Sequence, residues 1–184
     1  LYMEELSKIN NYLLIFSNIL CPIFYEGFLS MYIEGTTLCD NSNILLIFQS
    51  ILKNIPEWDD SMITTETTRI INVSNFTNLQ NLFKILLKLH LENLTTNYDI
   101  INNNINIEFK KFVHICYITI SKELYQYPEL FHTNNENSIK KRDMKINIIN
   151  IIKNCIEISI LKLLPLDILI EDELKSLHKT NDVN

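Results

Sequence analysis

The amino-acid sequence predicts an all-α fold, a single globular bundle of about six to seven helices with a central apolar helix pair. Three observations predict it. Apolar side chains recur at three- and four-residue steps through runs of about twenty residues, several times the length of an ordinary strand. The chain of 184 residues has two glycines, too few for the positive-φ turns of β-sandwiches or for glycine-rich phosphate loops. Its four prolines, Pro22, Pro56, Pro128 and Pro165, punctuate the apolar runs, as residues without a backbone donor should.

Residues 2–20 and 22–34 read as two helical stretches separated by Pro22, with Gly35 as the stop. Tyr12 to Ile33 is the most apolar part of the chain and long enough to raise the question of a membrane span. Asn18, Pro22, Glu26 and Gly27 interrupt it, and no basic residue flanks its C-terminal end. A buried hairpin or kinked core helix is therefore preferred to a membrane role.

Asp40 and Ser42 offer N-caps for a helix over 43–54, where Leu45, Phe48, Ile51 and Leu52 recur at helical spacing before Pro56. Asp59 and Asp60 fall in the first turn of a helix over 59–72, where negative charge meets the positive end of the helix dipole. Asn75 reads as the cap of a helix over 76–95, striped by Leu79, Leu82, Phe83, Leu86, Leu87 and Leu94. Thr95 to Ile107, with Asn102, Asn103 and Asn104 in a row, reads as a loop and as the one place for a subdomain boundary.

Residues 108–127 put Phe109, Phe112, Val113, Cys116, Ile120 and Leu124 on one face, and Ile115 and Ile118 widen it, which marks a central helix ended by Pro128. His132 to Asn137 forms a polar connector. The helix over 138–163 is apolar around most of its circumference except for Asn147, Asn150, Asn154 and Glu157. Pro165 suits the first turn of a short last helix ending near Leu174. Residues 1–175 are thus expected to form one domain, with 176–184 as a disordered tail.

A net charge of −6 repels a phosphate backbone, so a nucleic-acid role would need a local basic patch. Cys21, Cys39, Cys116 and Cys155 are scattered and form no CxxC pair, a pattern of reduced thiols rather than a disulfide framework. Glu4 and Glu5 stand where a secretory signal would carry positive charge. The sequons at Asn72, Asn75 and Asn93 are what an Asn-rich chain produces by chance.

Few groups suggest chemistry. His114 and Cys116 are neighbours, and His90 and His132 could join them, but compact zinc-ligand spacing is missing and no metal or cofactor is expected. A Cys–His nucleophile would need an electropositive, partly exposed cysteine, and these cysteines sit among Ile, Leu, Phe and Tyr. Glu57, Asp59, Asp60 and Glu66 surround Trp58, yet helix-start preference accounts for the acidic pair without catalysis. No catalytic residue is nominated.

Two surfaces suggest binding. Lys140, Lys141, Arg142 and Lys145, with Lys110 and Lys111 as neighbours, could meet nucleic acid or an acidic partner. Trp58, Tyr125, Tyr127 and Phe131 could meet protein, because aromatic residues are enriched in interface hot spots.

The stretches LLIFQSILKNIPEWDDSMITTETTRI (45–70), FKKFVHICYITISKELYQYPELF (109–131) and IIKNCIEISILKLLPLDILIEDEL (151–174), approached through FYEGFLSMY (24–32), resemble a protein family of giant viruses of the mimivirus-like, nucleocytoplasmic large DNA type. The resemblance implies a virally encoded protein of an AT-rich genome, residing in the virion or in the viral factory of the host cytoplasm. It carries over no catalytic or binding residue. The expected function is that of a non-enzymatic structural or interaction protein, such as a minor capsid or virion assembly component, whose partners are other viral proteins or itself. The alternative is a nucleic-acid-associated factor.

Overall fold

The most apolar stretch folds as one helix, α1 (Tyr2–Leu38), which runs through Pro22 rather than breaking there. An interior proline costs a helix about 3 kcal/mol. Phe16, Leu20, Phe24 and Phe28 are all completely buried along the same helix, and each such side chain gains about 1.5–3 kcal/mol by leaving water. Packing therefore overrides the local penalty. Pro22 and Asn18, the residue whose carbonyl loses its donor, are both exposed, so water can serve the free acceptor.

The computed structural model describes residues 2–38 and 43–181, with side chains over 7–38 and 43–177. The proposed caps Asp40 and Ser42, as well as Cys39, lie outside the described residues. Gly35 is inside α1 rather than at its end, and the C-terminal part of α1 packs on α2 (Ile44–Asn54). Pro56 does not simply end α2 but continues it into a 3-10 turn, Ile55–Glu57.

The caps of the next helices follow from side-chain chemistry. Asp59 lies just before α3 (Asp60–Ser74), where its carboxylate accepts from the Met62 N–H at 2.8 Å. At the other end Asn75 adopts φ 48°, the left-handed conformation that Asn tolerates better than most residues. Asn75 thus closes α3 rather than opening the following helix, and α4 (Leu79–Leu94) begins later than the sequence suggests. The expected loop contains a short helix, α5 (Tyr98–Asn104). Asn97 caps it by accepting from the Asp99 and Ile100 N–H groups, and Ile101 buries its inner face. The three consecutive asparagines are its last turn.

The two long helices agree with the sequence reading: α6 (Phe109–Gln126) and α7 (Ser138–Lys162), the latter capped by Asn137. A 3-10 turn, Pro128–Phe131, starts the link between them. They run antiparallel, because Lys162 Nζ donates to Thr119 Oγ1 at 3.0 Å while Tyr127 and Asn150 share a groove at the other end. The last helix, α8 (Leu166–Asn181), continues past the expected stop at Leu174 and through Ser176, the first residue of the expected tail. Residues 182–184 lie outside the described residues. The described residues hold eight α-helices and no strand.

The central pair α6–α7 makes the most extensive helix–helix contact, and α1 completes it by packing on α2, α3, α4 and α7. Rings knit these helices together. Phe16 meets Phe83 and Phe112, Phe24 and Phe28 meet Tyr117, and Tyr32 meets Phe48 and Phe131. By length and composition α1 could cross a membrane, yet its buried face is the wall of this aromatic core. Among the described residues, Ser17 Oγ is the single buried side-chain polar atom without a hydrogen-bond partner.

Candidate functional site

The richest polar arrangement inside the molecule joins α1, α3 and α6. Tyr117, fully buried on α6, donates its hydroxyl proton to Glu66 Oε2 at 2.7 Å and accepts from Arg69 Nη2 at 3.1 Å. Arg69 Nε reaches the same carboxylate oxygen at 2.9 Å, and Nη2 also reaches the Ile23 carbonyl at 3.4 Å. Burial, reinforced by the Glu66 charge, pushes the Tyr117 phenol far above its ordinary range, so it stays protonated. Burial acts to lower the Arg69 pKa, but Tyr117 and Glu66 outweigh it and hold the guanidinium above its usual value.

The junction needs a gap on α1, and Gly27 supplies it. A Cβ at that position would lie 2.5 Å from Tyr117 Oη and 2.8 Å from Arg69 Nη2. Trp58 covers the other side, its ring centroid 4.8 Å from that of Tyr117, and it also stacks on His114 at 6.5 Å with the rings nearly parallel. Outside the junction a cleft of about 360 Å³ opens between α1 and α3.

The carboxylates around Trp58 separate into distinct tasks. Asp59 caps α3, Glu66 belongs to the junction, and Asp60 pairs with Lys110 at 2.6 Å. The Lys110 hydrogen bond and charge hold the exposed Asp60 carboxyl below its ordinary value, and Asp60 raises Lys110 in return. Nothing brings these carboxylates together as an acid–base pair.

The histidines are likewise dispersed. His114 Nε2 donates to the Ile55 carbonyl at 3.2 Å, His90 Nδ1 donates to the Leu86 carbonyl at 2.7 Å, and His132 Nδ1 pairs with the Tyr32 hydroxyl at 2.9 Å. A ring nitrogen that donates to a carbonyl carries its proton and offers no lone pair to a metal. Among the described residues no three His, Cys, Asp or Glu side chains are grouped to hold an ion. Cys21, Cys116 and Cys155 are buried free thiols. Burial raises all three, Cys21 to about 11 and Cys155 to about 12.

Lys140, Lys141, Arg142 and Lys145 are all exposed, and three of them have close neighbours. Lys140 pairs with Glu136 at 2.7 Å, Arg142 lies 3.7 Å from Asp143, and Lys145 Nζ sits 4.6 Å above the Tyr25 ring. Lys110 and Lys111, at the start of α6, lie at the opposite end of the antiparallel pair from Lys140 at the start of α7. They do not extend the cluster.

The aromatic set also divides. Phe131 is a core residue against Tyr25, Tyr32 and Phe48, and Trp58 is half-buried. Tyr125 and Tyr127 are exposed, at 38% and 50%. Each edges a groove. Tyr125 flanks one of about 640 Å³ with Leu52, Pro56 and Lys122. Tyr127 flanks one of about 330 Å³ with Leu130, Ile151 and the asparagine stripe of α7. The sequence reading missed Gly27, Arg69 and Tyr117 as a unit. The scarcity of glycine was the available signal, because a glycine inside a strongly apolar helix needs a packing reason.

Residues 3–132 match the model of a family of unknown function, DUF5764. The chain belongs to that family. The matched region runs from α1 to the residue after the 3-10 turn at Phe131, leaving α7 and α8 beyond it. No curated protein and no solved structure matches the chain.

Proposed function

We propose that this member of the DUF5764 family is a non-enzymatic interaction protein that docks a partner protein at the C-terminal end of α6. The exposure of Tyr125 and Tyr127, each at the edge of its own groove, carries the reading. Tyrosine brings large contact area at low entropic cost, and its hydroxyl can pair at a wet rim. The interior supports the same view: Tyr117, Glu66, Arg69 and His114 bond one another or backbone, and the buried thiols are held protonated.

The likeness to giant-virus proteins suggests that the partner is another virion or assembly protein, or a second copy of this chain. Nucleic acid is the weaker alternative, because Lys140, Arg142 and Lys145 already have acidic or aromatic neighbours. Sedimentation of the purified chain, with photo-crosslinking from Tyr127 in infected cells, tests the reading. The expected result is self-association or a discrete crosslinked protein, weakened at least about tenfold by Tyr125→Ala combined with Tyr127→Ala. A strictly monomeric chain without a specific crosslink would overturn it.

A further inference from the structure

The cleft between α1 and α3 lies apart from the tyrosine grooves and has a chemistry of its own. Its volume, about 360 Å³, suits a small ligand or one long side chain. Met31, Ile51, Trp58 and Met62 make its walls apolar, and the small Gly27 and Ser30 leave room on its α1 side. Its one cation, Arg69, is consumed by Glu66, Tyr117 and the Ile23 carbonyl. Glu26 and Glu34, both exposed on the rim, have no ion-pair partner among the described residues. With Glu66 against Arg69, the lining therefore carries net negative charge.

Apolar walls exclude a strongly hydrated metal ion, and the negative rim repels anions. An aliphatic chain bearing ammonium groups fits both features, its methylenes against the thioethers and indole, its charge at the carboxylates. Glu26 and Glu34 are eight residues apart on one helix, about 12 Å along its axis. Two ammonium groups on one extended chain can span that distance.

We propose that this cleft binds an alkylammonium chain with more than one amino group. The chemistry is shared by a free polyamine and by neighbouring lysine side chains of a polypeptide, and the test separates the two. Trp58 is the only tryptophan of the chain, so its emission reports the cleft directly. Spermidine and a tetralysine peptide would be titrated in turn, with calorimetry in parallel and 1,6-hexanediol and sodium chloride of matched ionic strength as controls. We expect saturable binding of spermidine that Glu26→Gln combined with Glu34→Gln weakens about tenfold, two partly exposed charge pairs being lost. Both substitutions are on the surface, and circular dichroism would confirm that the fold survives. Binding of tetralysine with none of spermidine assigns the ammonium groups to a polypeptide. No saturable binding of either probe, an equal response to salt, or affinity unchanged in the double variant would overturn the proposal.

Discussion

The two glycines of α1 should respond to the same substitution with opposite signs. Gly→Ala inside a helix ordinarily gains about 0.5–1 kcal/mol, because alanine has less backbone freedom to lose. At Gly35 the new methyl would meet Ile51 and Ile47 carbons at 3.5 and 3.6 Å, ordinary contact distances, so Gly35→Ala should stabilise by about that amount. At Gly27 it would lie 2.5 Å from the Tyr117 hydroxyl. The arginine tip can move, but Tyr117 is fully buried among Phe24, Phe28 and Trp58. Overpacking costs about 1–3 kcal/mol, and displacing the hydroxyl from Glu66 loses a charge-assisted hydrogen bond of about 1.5–3 kcal/mol. After the helical gain, Gly27→Ala should destabilise by about 2–5 kcal/mol. For a chain of this size that lowers Tm by roughly 4–20 °C. Urea unfolding of both variants, and of Gly27→Ala combined with Tyr117→Phe, measures it. Removing the hydroxyl should recover part of the loss. If Gly27→Ala matched Gly35→Ala, or if Tyr117→Phe gave no relief, the close approach would not govern this position.

Ser17→Ala should be neutral or stabilising by up to about 2 kcal/mol, since the buried hydroxyl has no partner to lose; a clear loss in urea unfolding would contradict its orphan state. Asp59→Ala should cost about 1 kcal/mol through the lost cap at Met62, again read by urea unfolding, with no loss as the contrary result. Because the Asp60 carboxyl is held below its unfolded value, its pairing with Lys110 stabilises above the ordinary carboxylate range and is lost as pH falls through the lowered folded value. The stability difference between wild type and Asp60→Asn should accordingly be flat near neutrality and vanish in acid. Cys21, Cys116 and Cys155 should resist thiol reagents at pH 8 until denaturant opens the core, and peptide mapping that finds them labelled at once would refute their burial.

The sequence disclosed those parts of the fold that periodicity alone can specify. The bounds of α6 and α7 agree to within about one residue, inside the ordinary uncertainty of helix ends, because their apolar faces are long and each ends at a proline or a polar connector. Pro22 and Asn75 were misread for a common reason: each obeys a local preference that a distant contact can overrule or redirect. Pro22 is outweighed by rings that arrive from α4 and α6, and Asn75 serves the left-handed end of α3 as readily as the start of a helix. α5 was hidden because one buried side chain, Ile101, is too little signal for a period. The junction at Tyr117 was illegible on similar grounds. Gly27, the Glu66–Arg69 pair and Tyr117 stand far apart along the chain, and apart from the glycine each looks like an ordinary helical residue.

The unbroken passage of α1 through Pro22 has a consequence for synthesis. This helix leaves the ribosome with its phenylalanine face uncovered, and its contact between Tyr25 and Lys145 is completed only about 120 residues later. At about 5–20 residues per second, that is a delay of roughly 6–24 s. Through that interval α2, α3 and α4 can cover only part of the oily surface that the finished fold buries. Cells that make this protein should therefore shield it with a holding chaperone, and slowing translation between α1 and α7 should increase its aggregation.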